Sequence, residues 1–386
     1  MKIKGRRRAG AACMGLVLGL FSPGTAWAAS PEFARTEEEW AKLEDNTIEY
    51  GELEDLVHEY NATVQDNYYT YIKFREDYGD TNDDVSRAYY DLAQDFYDDM
   101  SGDDDASSMM SDLNLQIQAD NMMEQADETL EDSRIYLLTY EQAEKSLAAS
   151  AQSYMISYHK NLASREQKEA EVQAAQTAYD LAQVQYTAGT ATQMDVLTAK
   201  EALQTAQNEL TQLDTDIQSS RENLQVLLGW SYDANPEIGE LPEVDTSRID
   251  AMDPAADLEQ AKENNYTLQI NKRQLENARD QTTKDSLTST IANNEKQIGA
   301  SLSSAYKDVL SSELAYEQAQ AELSLQEKNT QIAQAQLAAG MITQKEYQDQ
   351  ENTLTNSQLA VQTAAMDLLE DMETYDWSVR GLAAVE

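Results

Sequence analysis

Apolar residues recur every three or four positions through most of the chain beyond residue 112, which is the spacing of one face of an α-helix. In Met194–Leu228 the spacing alternates between three and four residues, with one interruption at Ser220. This alternation predicts a coiled-coil seam on a long helix. The seam positions are Val196, Ala199, Leu203, Ala206, Leu210, Leu213, Ile217, Leu224 and Leu227.

A second helix is predicted to run before this one and to pack against it. The segment Asp112–Ala188 contains no Gly or Pro, so the sequence predicts one very long helix there, which needs partners along its length. Its own seam positions have the same spacing as those of the returning helix. They are Val172, Ala175, Tyr179, Ala182 and Tyr186.

The pattern then repeats in a shorter form. We expect a helix from about Ala255, a weak break near Gln281–Thr290 and a helix up to Ala339, followed by a return arm. The predicted seam of the outgoing helix consists of Leu314, Ala321, Leu325, Ile332, Ala335 and Ala339, and that of the return arm of Leu354, Val361, Leu368 and Tyr375. The fold class is therefore all-α, with long antiparallel coiled-coil helical hairpins in two tandem repeats.

The turns of the two predicted hairpins carry the same residues. In each turn a Gly stands where the incoming helix ends and can adopt the left-handed conformation. A Thr three residues later is a natural N-cap, and an acidic residue follows at capping-box spacing. The matching pairs are Gly189 and Gly340, Thr192 and Thr343, and Asp195 and Glu346.

Composition divides the chain into five parts. Residues 1–28 have a basic start, a short apolar stretch and Ala26-Trp27-Ala28, the pattern of a cleaved secretory signal peptide. We expect a leader over 29–46, the first helical-hairpin repeat over 47–229, a connector rich in Pro and acidic residues over 230–254, and the second repeat over 255–386. The protein is thus predicted to be exported to the cell envelope or the cell surface.

Charge narrows the possible partners. The formal net charge is −43, and removal of the basic signal peptide makes it about −48. Such a chain repels nucleic acid and anionic lipid headgroups. The part beyond residue 28 has no Cys and no apolar run long enough for a transmembrane helix.

Known catalytic and metal-binding motifs are missing from the sequence. There is no G-x-S-x-G, P-loop or H-E-x-x-H motif, so we expect neither an enzyme nor a cofactor. His58 and His159 are far apart in the sequence, so a metal site is not expected. The acidic stretches Asp77–Asp84 and Asp103–Asp105 have carboxylates suited to Ca²⁺, but their spacing fits solvated loops better.

The residues around the first turn resemble the outer membrane efflux protein (TolC) family. The similar pattern comprises Tyr186, Gly189, Asp195-Val196-Leu197 and Ala199, then Leu203, Ala206, Leu210 and Leu227-Leu228-Gly229. Pro254–Leu275, with Leu258, Ala261, Asn265 and Leu268, resembles the family's second-repeat start. The segment from Leu43-Glu44-Asp45-Asn46 through Leu56 and Asn61 resembles a diverged version of the family's first-repeat start.

The resemblance implies a homotrimer whose hairpins form a hollow cylinder of twelve helices. It implies that the turns are tips that dock a periplasmic adaptor of the membrane-fusion type and, through it, an ABC-type or other membrane transporter. Carried over by position, the docking tips are Ala188-Gly189-Thr190 and Ala339-Gly340-Met341. It also implies an acidic ring at the tunnel entrance, formed by Glu346 and Asp349.

One departure from the family pattern leaves the function open. The places where the family has barrel strands correspond to Asp98–Ser111 and Gln281–Thr290, which are too short and polar, so we expect no transmembrane β-barrel. The protein is then either a helical tube outside a bacterium with a single membrane or a chain that kept the fold and lost the conduit. A non-transporting secreted or surface coiled-coil scaffold is the alternative function. An adaptor protein ranks last, because it would need β-rich flanks.

Overall fold

The computed structural model describes residues 35–103, 105–231 and 233–385. The signal peptide predicted for residues 1–28, and the beginning of the predicted leader, lie outside the described residues. The chain divides after Asp45. In the part before this division, helix α1 (Glu37–Leu43) begins with a capping box between Thr36 and Glu39.

The part from Asn46 onward is built mainly of helices. A short parallel pair of strands, β1 (Thr47–Ile48) and β2 (Glu237–Ile238), joins the start of the first repeat to the connector. The helices are α2 (Leu53–Tyr60), α3 (Ala62–Tyr78), α4 (Asn82–Asp98), α5 (Ala106–Glu128), α6 (Ser133–Thr187), α7 (Gln193–Leu227), α8 (Ser247–Asp250), α9 (Leu258–Asn264), α10 (Tyr266–Asn277), α11 (Gln281–Ala338) and α12 (Gln344–Trp377). A 3₁₀ turn spans Tyr50–Glu52 and a π-helical turn spans Ser378–Leu382. The all-α fold class is confirmed.

Three antiparallel hairpins dominate this part: α4–α5, α6–α7 and α11–α12. The predicted single helix over Asp112–Ala188 is wrong, because α5 ends at Glu128 and α6 begins at Ser133. Asp132 starts the new helix: its buried carboxylate accepts a hydrogen bond from the Ile135 amide at 3.0 Å and pairs with Arg273 at 2.6 Å. A buried Asp cap can therefore interrupt a helical pattern that contains neither Gly nor Pro.

The predicted break in the second repeat is also displaced. Residues 281–290 form the first turns of α11, and the interruption lies just before them, between Asn277 and Gln281. The Asp280 side chain accepts a hydrogen bond from the Thr283 amide at 2.8 Å and caps α11. Asp280 is present in the sequence, but a capping Asp is a weaker signal of a helix break than a Gly or a Pro.

The predicted seam of the first long hairpin is found in the structure. The seam positions of α7 face inward, with Leu203 and Leu224 buried. Along α6, Ala182 is buried, whereas Tyr186 at the end of the predicted series is exposed. Two ion pairs between the helices flank the seam, Arg165 with Asp214 at 2.7 Å and Lys168 with Glu209 at 2.8 Å.

The predicted seam of α11 is wrong. All six of its residues are exposed, including Leu314, Leu325 and Ile332. The positions that face α12 form a different series, in which Val309 and Ala333 are buried and Gln326 and Thr330 are half-buried. Near the base of this hairpin the seam joins the main apolar core, which includes Leu268, Ile298, Leu302, Val309, Leu368, Met372 and Tyr375.

Matching asparagines close the base of each repeat. Asn61 caps α3 and donates to the Leu227 carbonyl oxygen at 2.7 Å, so it holds the end of α7. Asn265 caps α10 and donates to the carbonyl oxygens of Gly381 and Ala383 at 3.2 and 3.0 Å. In each repeat the asparagine therefore ties the start of one helix to the end of the returning arm.

Candidate functional site

The first hairpin tip is a short, hydrogen-bonded turn between α6 and α7. Gly189 has a φ of +76°, and its amide donates to the Tyr186 carbonyl at 3.0 Å. The Thr190 amide donates to Gln185 at 2.8 Å, so the last carbonyls of α6 are satisfied. Thr192 and Asp195 then form a reciprocal capping box, in which the Thr192 amide donates to the Asp195 carboxylate at 2.7 Å.

The second tip repeats this geometry between α11 and α12. Gly340 has a φ of +67°, and the Met341 amide donates to the Gln336 carbonyl at 2.8 Å. Thr343 and Glu346 form the capping box, with the Thr343 amide donating to the Glu346 carboxylate at 2.7 Å. The two tips are thus equivalent in backbone conformation and in capping.

Both tips present small residues on an open surface. A Cβ atom built on Gly189 or Gly340 would meet nothing within 4 Å. Their flanking residues Ala188, Thr190 and Ala339 are exposed, and Met341 is 73% exposed. The first tip has a nearby apolar residue of similar exposure, Met194, at 69%. Each tip therefore offers an exposed backbone with an apolar side chain beside it.

The two carboxylates predicted for a tunnel entrance have partners inside this chain. Hydrogen bonds from the Thr343 amide and hydroxyl keep the pKa of Glu346 below its usual range. Asp349 pairs with Lys345 one turn earlier, at 2.8 Å. The Asp195 carboxylate at the first tip is held in the same way, since hydrogen bonds from Thr192 lower its pKa. These contacts show capping and pairing within a tip, and the predicted ring stays a prediction.

An apolar stripe on α11 faces outward, although the sequence pattern predicts most of its residues in the seam. We define the α11 stripe as Leu310, Leu314, Leu325 and Ile332, which are 40%, 54%, 50% and 56% exposed. The seam beneath it contains a polar patch, where Gln350 of α12 donates to Gln326 at 2.9 Å and to Thr330 at 3.3 Å. The residues that face α12 include a seven-residue series, which the sequence contains beside the predicted one: Val309, Tyr316, Leu323, Thr330 and Leu337.

Metal and membrane features complete the description of the site. Within residues 35–103, 105–231 and 233–385, no group of three or more His, Cys, Asp or Glu side chains is placed to hold a metal ion. In the same described part of the chain, no helix is long and apolar enough to cross a membrane.

Comparison with protein families tests the resemblance drawn from the turn motifs. The model of the outer membrane efflux protein family matches residues 75–230, which span the α4–α5 and α6–α7 hairpins and the first tip. Over these residues the chain is similar to the outer membrane efflux protein family. The resemblance drawn from the turn motifs is therefore confirmed. Among curated proteins, none matches the chain.

Solved structures of similar fold extend the likeness to both repeats. The outer-membrane channel OprN is 14% identical with a TM-score of 0.53, over 89% of this chain and 92% of that one. A membrane protein from Pseudomonas aeruginosa is 12% identical with a TM-score of 0.50, over 84% and 93%. CusC, described as forming a transmembrane channel, is 10% identical with a TM-score of 0.50, over 86% and 92%. At these identities the likeness shows a shared fold.

The match to this family bears on the broad function of the chain. It supports a role as an efflux component and a place in the cell envelope. The family consists of efflux proteins and is not a family of enzymes. The transport role and the helical fold predicted from the sequence are confirmed at this level.

Proposed function

We propose that this chain is an exported protein whose copies assemble into a trimeric helical conduit. The hairpin tips of the trimer would dock an adaptor protein of the membrane-fusion type and, through it, an ABC-type or other membrane transporter. The observation that carries the proposal is the α11 stripe, because a long helix with a satisfied inner seam and a second apolar face needs a second partner.

The size of the α11 stripe favours contact between copies. Its four side chains lie at helical spacing from Leu310 to Ile332, along the body of α11 and away from the tip. Isolated exposed apolar residues are ordinary, but an aligned series is typical of an interaction surface. Full burial of such a side chain contributes about 1.5–3 kcal/mol. Because these four are only 40–56% exposed, each would contribute roughly 1 kcal/mol, and four in each copy still favour association.

The tips support the docking half of the proposal. Their capping boxes hold the turns in one conformation, so little conformational entropy is lost when a partner binds. Residues 188–190 and 339–341 would provide a flat backbone surface, with Met194 and Met341 as apolar contacts. In a trimer, Glu346 and Asp349 of three copies would lie around one axis and favour the passage of cations.

A paired charge substitution on the α11 stripe tests the conduit. Cells that lack this gene are complemented with the wild-type chain, with Leu314→Glu/Leu325→Glu, or with the matched control Ser311→Glu/Ser324→Glu on exposed positions of the same helix. We expect the stripe variant to be exported but to lose efflux of a fluorescent dye, and the control to retain efflux. If loss of the gene leaves dye accumulation unchanged, the protein does not transport and the scaffold function takes its place.

The tip assignment needs its own variant, because assembly and docking can fail separately. Gly340→Ala/Met341→Asp changes the second tip and leaves the α11 stripe intact. We expect this variant to remain oligomeric in sedimentation and to lose dye efflux. Unchanged efflux in that variant would show that the second tip does not dock the adaptor.

A further inference from the structure

The far end of the α4–α5 hairpin carries an exposed apolar surface that the proposed conduit does not use. We define the α5 patch as Met109, Met110, Leu113 and Ile117, which are 60%, 63%, 52% and 50% exposed. The four residues fall in the first three turns of α5, beside the turn that joins it to α4. Four large apolar side chains within nine residues form a continuous surface and not a scatter of single residues.

The α5 patch lies on the side of α5 that faces away from α4. The inner side is marked by Ala119 and Ala126, which are fully buried, and the Ser86 hydroxyl of α4 donates to the Ala126 carbonyl at 2.6 Å. Each residue turns a helix by about 100°, so Ile117 lies about 200° around the helix from Ala119. The hairpin therefore has a satisfied seam and a separate apolar surface.

Hydrogen bonds fix the hairpin at both ends. At its base, the Arg279 guanidinium donates to the carbonyl oxygens of Ala126 and Asp127 at 2.6 and 3.1 Å. At its far end, the Asp112 carboxylate accepts from the amides of Ser101 and Gly102, both at 2.9 Å. The α5 patch is thus carried on a supported arm rooted in the second repeat, which suits a surface that binds a partner.

Charge determines which partner the patch can take. Residues 82–128 contain fourteen acidic residues and one basic residue, Arg87. A second copy of this hairpin would bring the same charge to the contact and be repelled. An anionic lipid surface is disfavoured for the same reason. A basic partner is attracted by the acidic surroundings and can cover the apolar side chains.

We propose that the α5 patch docks a cationic amphipathic helix of another protein. Apolar residues of that helix would cover Leu113 and Ile117, while its Lys and Arg side chains would meet the exposed carboxylates of Asp120 and Glu124, which follow these two residues seven positions later on the same face of α5. The patch is distinct from the hairpin tips and from the α11 stripe, so this proposal stands whether or not the chain forms a conduit.

The test uses the full exported chain and two labelled peptides of equal charge. One peptide is built of Lys and Leu in an amphipathic helical pattern, and the other has the same composition in a scrambled order. We expect the amphipathic peptide to bind at least about tenfold more tightly by fluorescence anisotropy at physiological salt, because only it can bury the patch. Leu113→Ser/Ile117→Ser should remove that advantage, and Asp120→Asn/Glu124→Gln should weaken the binding of both peptides.

A matched control separates the patch from general attraction to an acidic protein. Leu181→Ser/Val184→Ser alters two exposed apolar residues on α6, and it should keep the full advantage of the amphipathic peptide. Equal binding of the two peptides to the wild-type chain would overturn the proposal. So would a change of oligomeric state in Leu113→Ser/Ile117→Ser, which would assign the patch to a second copy, or loss of binding to phospholipid vesicles in that variant, which would assign it to a membrane.

Discussion

The two long hairpins share a backbone plan but place their apolar residues differently. In α6–α7 the seam positions of the returning helix face inward, and Leu203 is buried among them. In α11–α12 the leucines of α11 face outward, and the middle of the seam is a hydrogen-bonded patch of Gln326, Thr330 and Gln350. The first hairpin also exposes apolar side chains, but mainly near its tip, at Leu181, Val184, Met194 and Leu197.

The first long hairpin thus uses its leucines for its own packing, and in the proposed assembly the second uses them for contact with neighbouring copies. A polar seam contributes less to hairpin stability than an apolar one, because hydrogen bonds formed inside exchange for hydrogen bonds with water. Within one copy, the exposed part of the α11 stripe contributes nothing to hairpin stability. The second hairpin therefore depends more on its apolar base than the first hairpin does, and under the proposed function it also gains stability from association.

The largest expected effects distinguish the base of a hairpin from its tip. Gly381 has a φ of +118°, and a Cβ there would overlap the Asn264 carbonyl oxygen, so Gly381→Ala should destabilise the fold by about 3 kcal/mol or more. Gly340→Ala meets no neighbour and should cost only about 1 kcal/mol for its left-handed backbone. Urea unfolding of both variants measures the difference. Equal losses of stability in the two variants would mean that the contact between Gly381 and Asn264 is not rigid.

The next prediction concerns the two leucine series directly. Leu203→Ala removes a buried side chain from the first seam and should lower the free energy of unfolding by about 2–3 kcal/mol. Leu325→Ala alters an exposed residue and should change it by less than about 0.5 kcal/mol at concentrations where the chain is monomeric. Chemical denaturation at low protein concentration checks this, and a large loss for Leu325→Ala would place that leucine in the seam after all.

The tips should respond alike although the hairpins do not. Thr192→Ala and Thr343→Ala each remove one capping hydroxyl, and each should lower stability by about 1 kcal/mol. Amide exchange localised to the first turns of α7 and α12 should rise in the matching variant only. A response confined to one tip would break the equivalence that the two capping boxes indicate.

The smallest effect is a dependence of tip stability on pH. Thr192 and Thr343 lower the pKa values of Asp195 and Glu346 in the folded chain. A lowered folded pKa stabilises above the unfolded value, and this stabilisation is lost as the pH falls through the folded value. Amide protection at both tips should therefore be constant near neutral pH and fall in the acid range below the usual carboxyl pKa values. Thr343→Ala removes the hydroxyl donor and keeps the backbone amide donor, so it should reduce this fall in part, at the second tip only.

Local patterns predicted much of the fold and of the site. The Gly, Thr and acid of each turn form a complete stop and start signal within a few residues, so the tip geometry follows from sequence. The α7 seam can also be predicted from the sequence, because its apolar residues form a single series. The break at residues 129–132 is not predictable from local sequence, since the buried Asp132 that caps α6 also pairs with Arg273, which is distant in the sequence.

The α11 stripe shows why periodicity alone has a limit. Two series with seven-residue spacing run along α11, and a pattern cannot tell which of them faces α12. The sequence predicts that the series with Leu314, Leu325 and Ile332 forms the seam, whereas the structure places these residues on the outward side of α11. Only the contacts of Gln350 with Gln326 and Thr330 fix the rotation of the helix. When a helix has apolar residues on two faces, its sequence does not show which face contacts which partner.

Sedimentation velocity of the exported chain at micromolar concentration is the most direct test of self-assembly through the α11 stripe. We expect a trimer for the wild-type chain and for Ser311→Glu/Ser324→Glu. Leu314→Glu/Leu325→Glu should sediment as a folded monomer, with the helical circular dichroism of the wild type. A wild-type chain that remains a monomer, or a stripe variant that remains a trimer, would contradict the account.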